Sequence, residues 1–239
     1  MSPITPAVVQ SFAPTGALRA AINLGNPVLV QGNADAPTGV TVDLATELAR
    51  RLGVPLTLVP FTQAGLVFDA LAQGVWDIAF LAIEPKRAAE IDFTAPYVII
   101  EGAYVVPKES PLQSVDDVDR AGVRISVITN AAYDLFLTRS LKHAQLVRSD
   151  QAGFARFERD KLDAIAGVKQ PMAAYAARNP NVRLLPGRFM EIKQAMGTPK
   201  GRDAAAAYLR GFVEEMKASG FVADALKRAG QDATVAPAE

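Results

Sequence analysis

Apolar and polar positions alternate along this chain between two periods, and the switch from one to the other marks out the elements. Leu18 to Leu24 reads as a first strand, followed by a polar loop from Asn26 to Thr38 that holds Pro27, Gly32, Asn33, Asp35 and Pro37. From Val42 to Leu52 the period becomes helical: Leu44, Ala45, Leu48, Ala49 and Leu52 share one face, Thr41 can cap the start, and Gly53 suits a left-handed end. Pro55 to Pro60 reads as a strand, Leu66 to Gln73 as a helix stopped by Gly74, and the nearly unbroken apolar run Trp76 to Leu81 as a strand covered on both faces. A short helix opening on Pro85 runs to about Ile91, Asp92 to Tyr97 reads as a loop, and Val98 to Val106 as a long strand ended by Pro107.

The alternation then begins again. Strands are expected at Val123–Ile128, Ala144–Val147, Leu162–Ala166, Val182–Leu185 and Phe189–Met196. Helices are expected at Ala131–Lys142, with Leu135, Phe136 and Leu141 facing inward, and at Gln151–Arg159, Pro171–Ala177, Asp203–Ala218 and Phe221–Ala229. Residues 1–16 read as an irregular arm and Gln231–Glu239 as a tail. Regular strand–helix alternation implies an α/β fold with mixed, mostly parallel sheet, and two runs separated near Pro107 imply two lobes.

Composition narrows the chemistry. The chain has 239 residues, of which half are apolar, so it can bury a substantial core. It has no Cys and one His, His143, which excludes a disulfide framework, a thiol nucleophile and a multi-His metal centre within one chain. No cofactor and no metal are expected. Lys plus Arg and Asp plus Glu both number 25, and zero net charge argues against broad nucleic-acid binding. No apolar run approaches the roughly 20 residues of a membrane span. Met1 to Pro6 shows neither the basic start nor the apolar core of a secretory signal, which leaves open a trimmed leader or a protein that stays inside.

Four ordered segments stand out: Thr38-Gly39-Val40-Thr41-Val42-Asp43-Leu44-Ala45; Phe68 to Asp77 with its Leu71, Gly74 and Asp77; Glu84-Pro85-Lys86-Arg87 followed by Ile91-Asp92-Phe93-Thr94-Ala95-Pro96-Tyr97; and Phe212 to Gly220. Together they resemble the bacterial family 3 extracellular solute-binding proteins, which serve polar amino-acid ABC transporters. Each is loose alone, but the ordered set covers about residues 16–230.

The resemblance implies a two-lobed, type II periplasmic-binding-protein-like fold with two hinge strands. Residues 1–105 and 195–239 would form lobe one and residues 106–194 lobe two, closing by hinge motion on a small carboxylate-bearing solute, an amino acid or organic acid, between them. It further implies a periplasmic monomer that presents its solute to an ABC permease and carries out no reaction. A cyclohexadienyl-dehydratase-like enzyme on the same fold, with Glu84 or Glu101 as its acid, and a cytosolic ligand-sensing domain are the alternatives.

By the same resemblance, Arg87 would clamp the solute's carboxylate in its guanidinium fork, where position alone suggests a solvated Arg. Phe80 and Ala82 stand where the family often has hydroxyl residues, so this lining is more apolar. Asn26 and Phe61 follow the first two strands of lobe one, at strand C-termini where α/β ligands sit, although Phe61 could equally be loop packing. Glu84 could contact an amine but reads more simply as a helix cap. Glu101, a charge in an apolar strand, needs a partner: a ligand amine or a Lys or Arg, the latter preferred.

In lobe two the family's Gly-Thr or Gly-Ser turn is matched by Thr129-Asn130-Ala131-Ala132, which keeps only helix N–H groups after Asn130. Where amino-acid binders place an amine-binding Asp, this chain has Ala166-Gly167-Val168-Lys169-Gln170. That departure suggests a solute with more negative than positive character, held by Arg87 and Lys169, though an exposed Lys at a helix start fits as well. His143 reads as a helix C-terminal residue, and Trp76 and Asp77 as packing.

Overall fold

The computed structural model describes residues 3–150 and 153–238. By internal contacts the chain divides into two compact units, Met1–Ile99 with Lys193–Glu239, and Ile100–Ile192. Two long strands carry the chain from one unit to the other: β4 (Ile91–Pro107) and β9 (Met190–Pro199).

The first unit is built on β1 (Leu18–Asn23), β2 (Leu56–Phe61) and β3 (Ile78–Ala82). β1 lies between the other two, parallel to both, with Ala20 and Ala21 opposite Leu58 and Val59 on one side and Ile78 and Ala79 on the other. β3 continues antiparallel into β9, from Ala79 opposite Gly197 to Ala82 opposite Gln194. β3 is buried along its whole length, as its unbroken apolar run requires. Trp76, two residues ahead of it, is buried and donates its indole N–H to the Val67 carbonyl at 2.9 Å.

α2 (Val40–Leu52) buries Leu44, Ala45, Leu48, Ala49 and Leu52, the face its periodicity indicates. It ends on Gly53 in the left-handed conformation, φ 68°. Its cap is Gly39 rather than Thr41. At φ 110° a Cβ on Gly39 would lie 2.6 Å from the Leu29 carbonyl oxygen, so the turn into the helix admits only glycine. Thr41 lies inside the helix, buried beside the Tyr97 hydroxyl. The second predicted helix is split into α3 (Ala64–Asp69) and a 3₁₀ turn, Ala70–Gln73, and Gly74 ends it at φ 63°.

Three segments read as irregular are ordered elements. Residues 6–12 form α1 (Pro6–Phe12), with Pro6 at its first position and the Thr5 hydroxyl accepting from Val8 N–H. It is too short to stand alone and is held by Phe12, which packs edge-on to Tyr208 of α8 (Asp203–Ala218). Asp92 to Tyr97 is the first part of β4, because β9 supplies a neighbour: Met196 N–H donates to Thr94 Oγ1. The tail forms β10 (Thr234–Val235), antiparallel to β4 at Val98 and Ile99, after α9 (Phe221–Arg228).

The second unit carries β4, β7 (Ala164–Val168), β5 (Arg124–Ile128) and β6 (Gln145–Ser149) in that spatial order. β5 runs parallel to both its neighbours and β4 antiparallel to β7, while β8 (Val182–Leu184) adds to β4. Its helices are α5 (Ala132–Ser140), α6 (Gly153–Arg159) and α7 (Lys169–Arg178). The expected start of α6 at Gln151 lies outside the described residues. On α5 the fully buried apolar residues are Ala132 and Leu137, while Phe136 and Leu141 pack at the edge of the core and Leu135 is half-buried. Cores form on both faces of this sheet, one around Tyr104, Val106, Ile125, Val127 and Leu137, the other around Val105, Phe157, Ile165 and Met172.

Candidate functional site

The parallel strands of the first unit end together, and several sequence-selected residues sit at those ends. Asn26, just past β1, is buried; its Oδ1 accepts from Val28 N–H at 3.2 Å and its carbonyl accepts from Leu29 and Val30. This side chain therefore folds its own loop. Phe61 closes β2 and packs against the cluster of Ala21, Val67, Ala79 and Ile91. Phe80 is buried in β3, edge-on to Tyr97 with ring centroids 6.1 Å apart.

Ala82 ends β3, and its carbonyl accepts from Arg87 Nη1 at 3.1 Å. Arg87 belongs to α4 (Pro85–Ala88), a single turn that Pro85 opens. The residue is only 1% exposed. Burial pulls its pKa down to about 10, against the opposing pull of the Glu84 charge. Glu84 takes the cap position but its side chain makes no capping bond. It is buried, and its charge acts on Arg87 instead, which corrects the cap reading.

In the second unit, Asn130 sits at φ 59° and Ala131 is the N-cap of α5, with no side-chain cap. The amide of Asn130 donates to Asp134 Oδ2 at 2.8 Å, and Asp134 in turn takes Arg148 Nε at 3.0 Å. An internal carboxylate thus already serves this helix start. Glu101, in β4, and Lys169, the first residue of α7, are brought together: Lys169 Nζ donates to Glu101 Oε2 at 2.5 Å. Arg188 Nη1 donates to the other oxygen, Oε1, at 2.8 Å, and Arg188 Nη2 lies 2.9 Å from Glu191 Oε1. Hydrogen bonds from Lys169 and Arg188 hold the Glu101 carboxyl below its usual range.

Arg188 escaped the sequence reading. It follows Pro186 and Gly187 in a turn before β9, where a basic residue looks like any solvated charge, and only the register of β4, with Phe189 N–H on the Gly102 carbonyl, sets it beside Glu101. His143 lies beyond the end of α5; its backbone N–H, with those of Lys142 and Ala144, donates to the Asp119 carboxylate. Asp77 is more than packing: its buried carboxylate receives Arg19 and Arg202.

Among the described residues, no group of three or more His, Asp or Glu is placed to share a metal ion. Among them too, no helix is long and apolar enough to cross a membrane.

The sequence profile of the bacterial extracellular solute-binding proteins, family 3, matches residues 18–231. The membrane-bound lytic murein transglycosylase F of Shewanella sp. (strain W3-18-1) is 25% identical over 128 residues, covering 54% of this chain and 27% of the relative. The L-cystine-binding protein TcyJ of Escherichia coli (strain K12) is 27% identical over 148 residues, covering 56% of this chain and 54% of the relative. The chain therefore spans about half or less of these curated relatives. Among solved structures, a solute receptor for L-cysteine of Neisseria gonorrhoeae superposes with a TM-score of 0.79 at 23% identity, covering 92% of each chain, which shows the shared fold.

Proposed function

We propose that this chain, which belongs to the bacterial extracellular solute-binding proteins of family 3, captures a small carboxylate-bearing solute, an amino acid or organic acid, and delivers it to an ABC permease. The two compact units are the lobes of such a receptor, working outside the cytoplasmic membrane as a monomer and without a reaction. The observation that carries the reading is Arg87: a guanidinium at the end of β3, so deeply buried that its pKa falls to about 10. A solute carboxylate matches the fork of a guanidinium through charge-assisted hydrogen bonds. Phe80 and Ala82 give the apolar lining on that side. Asn26 and Phe61 shape the strand ends of the first unit, and within the second unit Glu101, Lys169, Asn130 and Ala131 are the residues we propose for solute contact.

A dehydratase-like reaction has less support. A general acid needs a raised pKa, and Lys169 and Arg188 push that of Glu101 the other way.

Titration calorimetry of the purified chain against a panel of amino acids and organic acids tests the proposal. One or more carboxylates should bind, and Arg87→Lys should weaken that binding by about 10- to 100-fold, the loss of one or two hydrogen bonds to a charged group. Binding left unchanged by both Arg87→Lys and Arg87→Met, in variants with native circular dichroism, would overturn the clamp.

A further inference from the structure

We propose that Glu101, Lys169 and Arg188 form an ion-pair exchange subsite, in which Lys169 leaves Glu101 to take an anionic group of the solute while Arg188 keeps Glu101 neutralised. The inference rests on the capture reading and adds a substrate class to it: solutes with a second anionic group, such as dicarboxylates or acidic amino acids.

The geometry separates the two cations. Lys169 holds Oε2 of Glu101 and Arg188 holds Oε1, so neither competes for the same oxygen. If Lys169 swings away, the carboxylate still has a charged donor at 2.8 Å and is not left orphaned. Arg188 is anchored on its other side by Glu191, at 2.9 Å. Among the described residues Lys169 has a single acidic partner, whereas Arg188 has two, and its flexible four-carbon stem makes Lys169 the movable member.

Its place in the chain favours the exchange. Lys169 is the first residue of α7, a ten-residue helix with no acidic residue in its first turn and no side-chain cap. The helix dipole there disfavours an ammonium and favours an anion, so an anionic group arriving beside Lys169 meets both attractions at once. Glu101 meanwhile screens the cations from weakly charged solutes. A neutral group cannot displace a carboxylate from an ammonium, whereas a second carboxylate replaces it like for like.

The test is calorimetry on the full chain with isosteric pairs: glutarate against its monoamide, and L-glutamate against L-glutamine. Wild type should bind the doubly anionic member of at least one pair about tenfold or more tighter than its amide. Lys169→Met should erase that advantage, costing the doubly anionic member about tenfold more than its amide. Arg188→Met should also weaken the dianion, because Lys169 must then stay with Glu101. Adding Glu101→Gln to Arg188→Met should restore it, a rescue that a merely structural role for Arg188 would not give.

Preference for the amide, equal losses for both members in Lys169→Met, or failure of the rescue overturns the exchange. If monocarboxylates still bind in an Arg87-dependent way, the capture reading survives that result. If no carboxylate binds at all, both fall together.

Discussion

Asp77, immediately before β3, is a buried carboxylate, and replacing it by Asn should cost more than any surface change. The carboxylate has no exposed side-chain surface. Oδ1 accepts from Arg19 Nη2 at 2.9 Å and from Arg202 Nη1 at 2.8 Å, while Oδ2 accepts from Arg19 Nε at 2.9 Å and from the Arg19 backbone N–H at 3.0 Å. In Asp77→Asn the amide NH₂ would face donors, and two guanidiniums would lose their counter-charge. Breaking a buried pair costs about 3–5 kcal/mol, and because both Arg side chains keep some solvent contact the lower end applies, about 3 kcal/mol. For a chain of this size that is a drop of about 6–12 °C in Tm.

The pH dependence gives the reasoning a second edge. Burial alone would raise the Asp77 pKa, but hydrogen bonds from Arg19 and Arg202 outweigh it and the folded value lies below the ordinary one. A depressed folded pKa means stability that is fully present above the unfolded pKa, about 3.9, and lost as pH falls through the folded value. The gap between wild type and Asp77→Asn should therefore be complete at pH 7 and close in acid. Thermal unfolding followed by circular dichroism at pH 7 and along a descending pH series measures it. A drop under about 2 °C at neutral pH, or a gap that persists unchanged in acid, would refute the argument.

Two further outcomes follow from the packing. Gly39→Ala should destabilise by about 2 kcal/mol or more, since the backbone is left-handed and a Cβ would meet the Leu29 carbonyl oxygen at 2.6 Å; urea unfolding checks it, and a loss below about 0.5 kcal/mol would contradict the close approach. Truncation after Gln231 removes β10, the Ala236 N–H bond to the Tyr97 carbonyl and the Pro237 carbonyl that accepts from Lys217 Nζ, so amide exchange at Val98 and Ile99 should speed up while that in β1 stays unchanged.

Sequence alone determined the elements whose pattern is self-contained. The α2 face, the αL stop at Gly53, the buried run of β3 and the limits of α8 all follow from local spacing, because period and cap are local properties. The four ordered motifs were equally local, and they pointed to the family that the profile match shows. What tertiary structure decided is wherever a partner distant in sequence completes an element or neutralises a charge. Asp92–Tyr97 became strand because β9 lies beside it, residues 6–12 became helix because Phe12 meets Tyr208, and the tail became β10 because β4 offers Val98 and Ile99. The same holds for the charges. The need of Glu101 for a cation was legible in its strand, yet nothing in the sequence could say that both Lys169 and Arg188 would reach it, since strand register and a helix start bring them there.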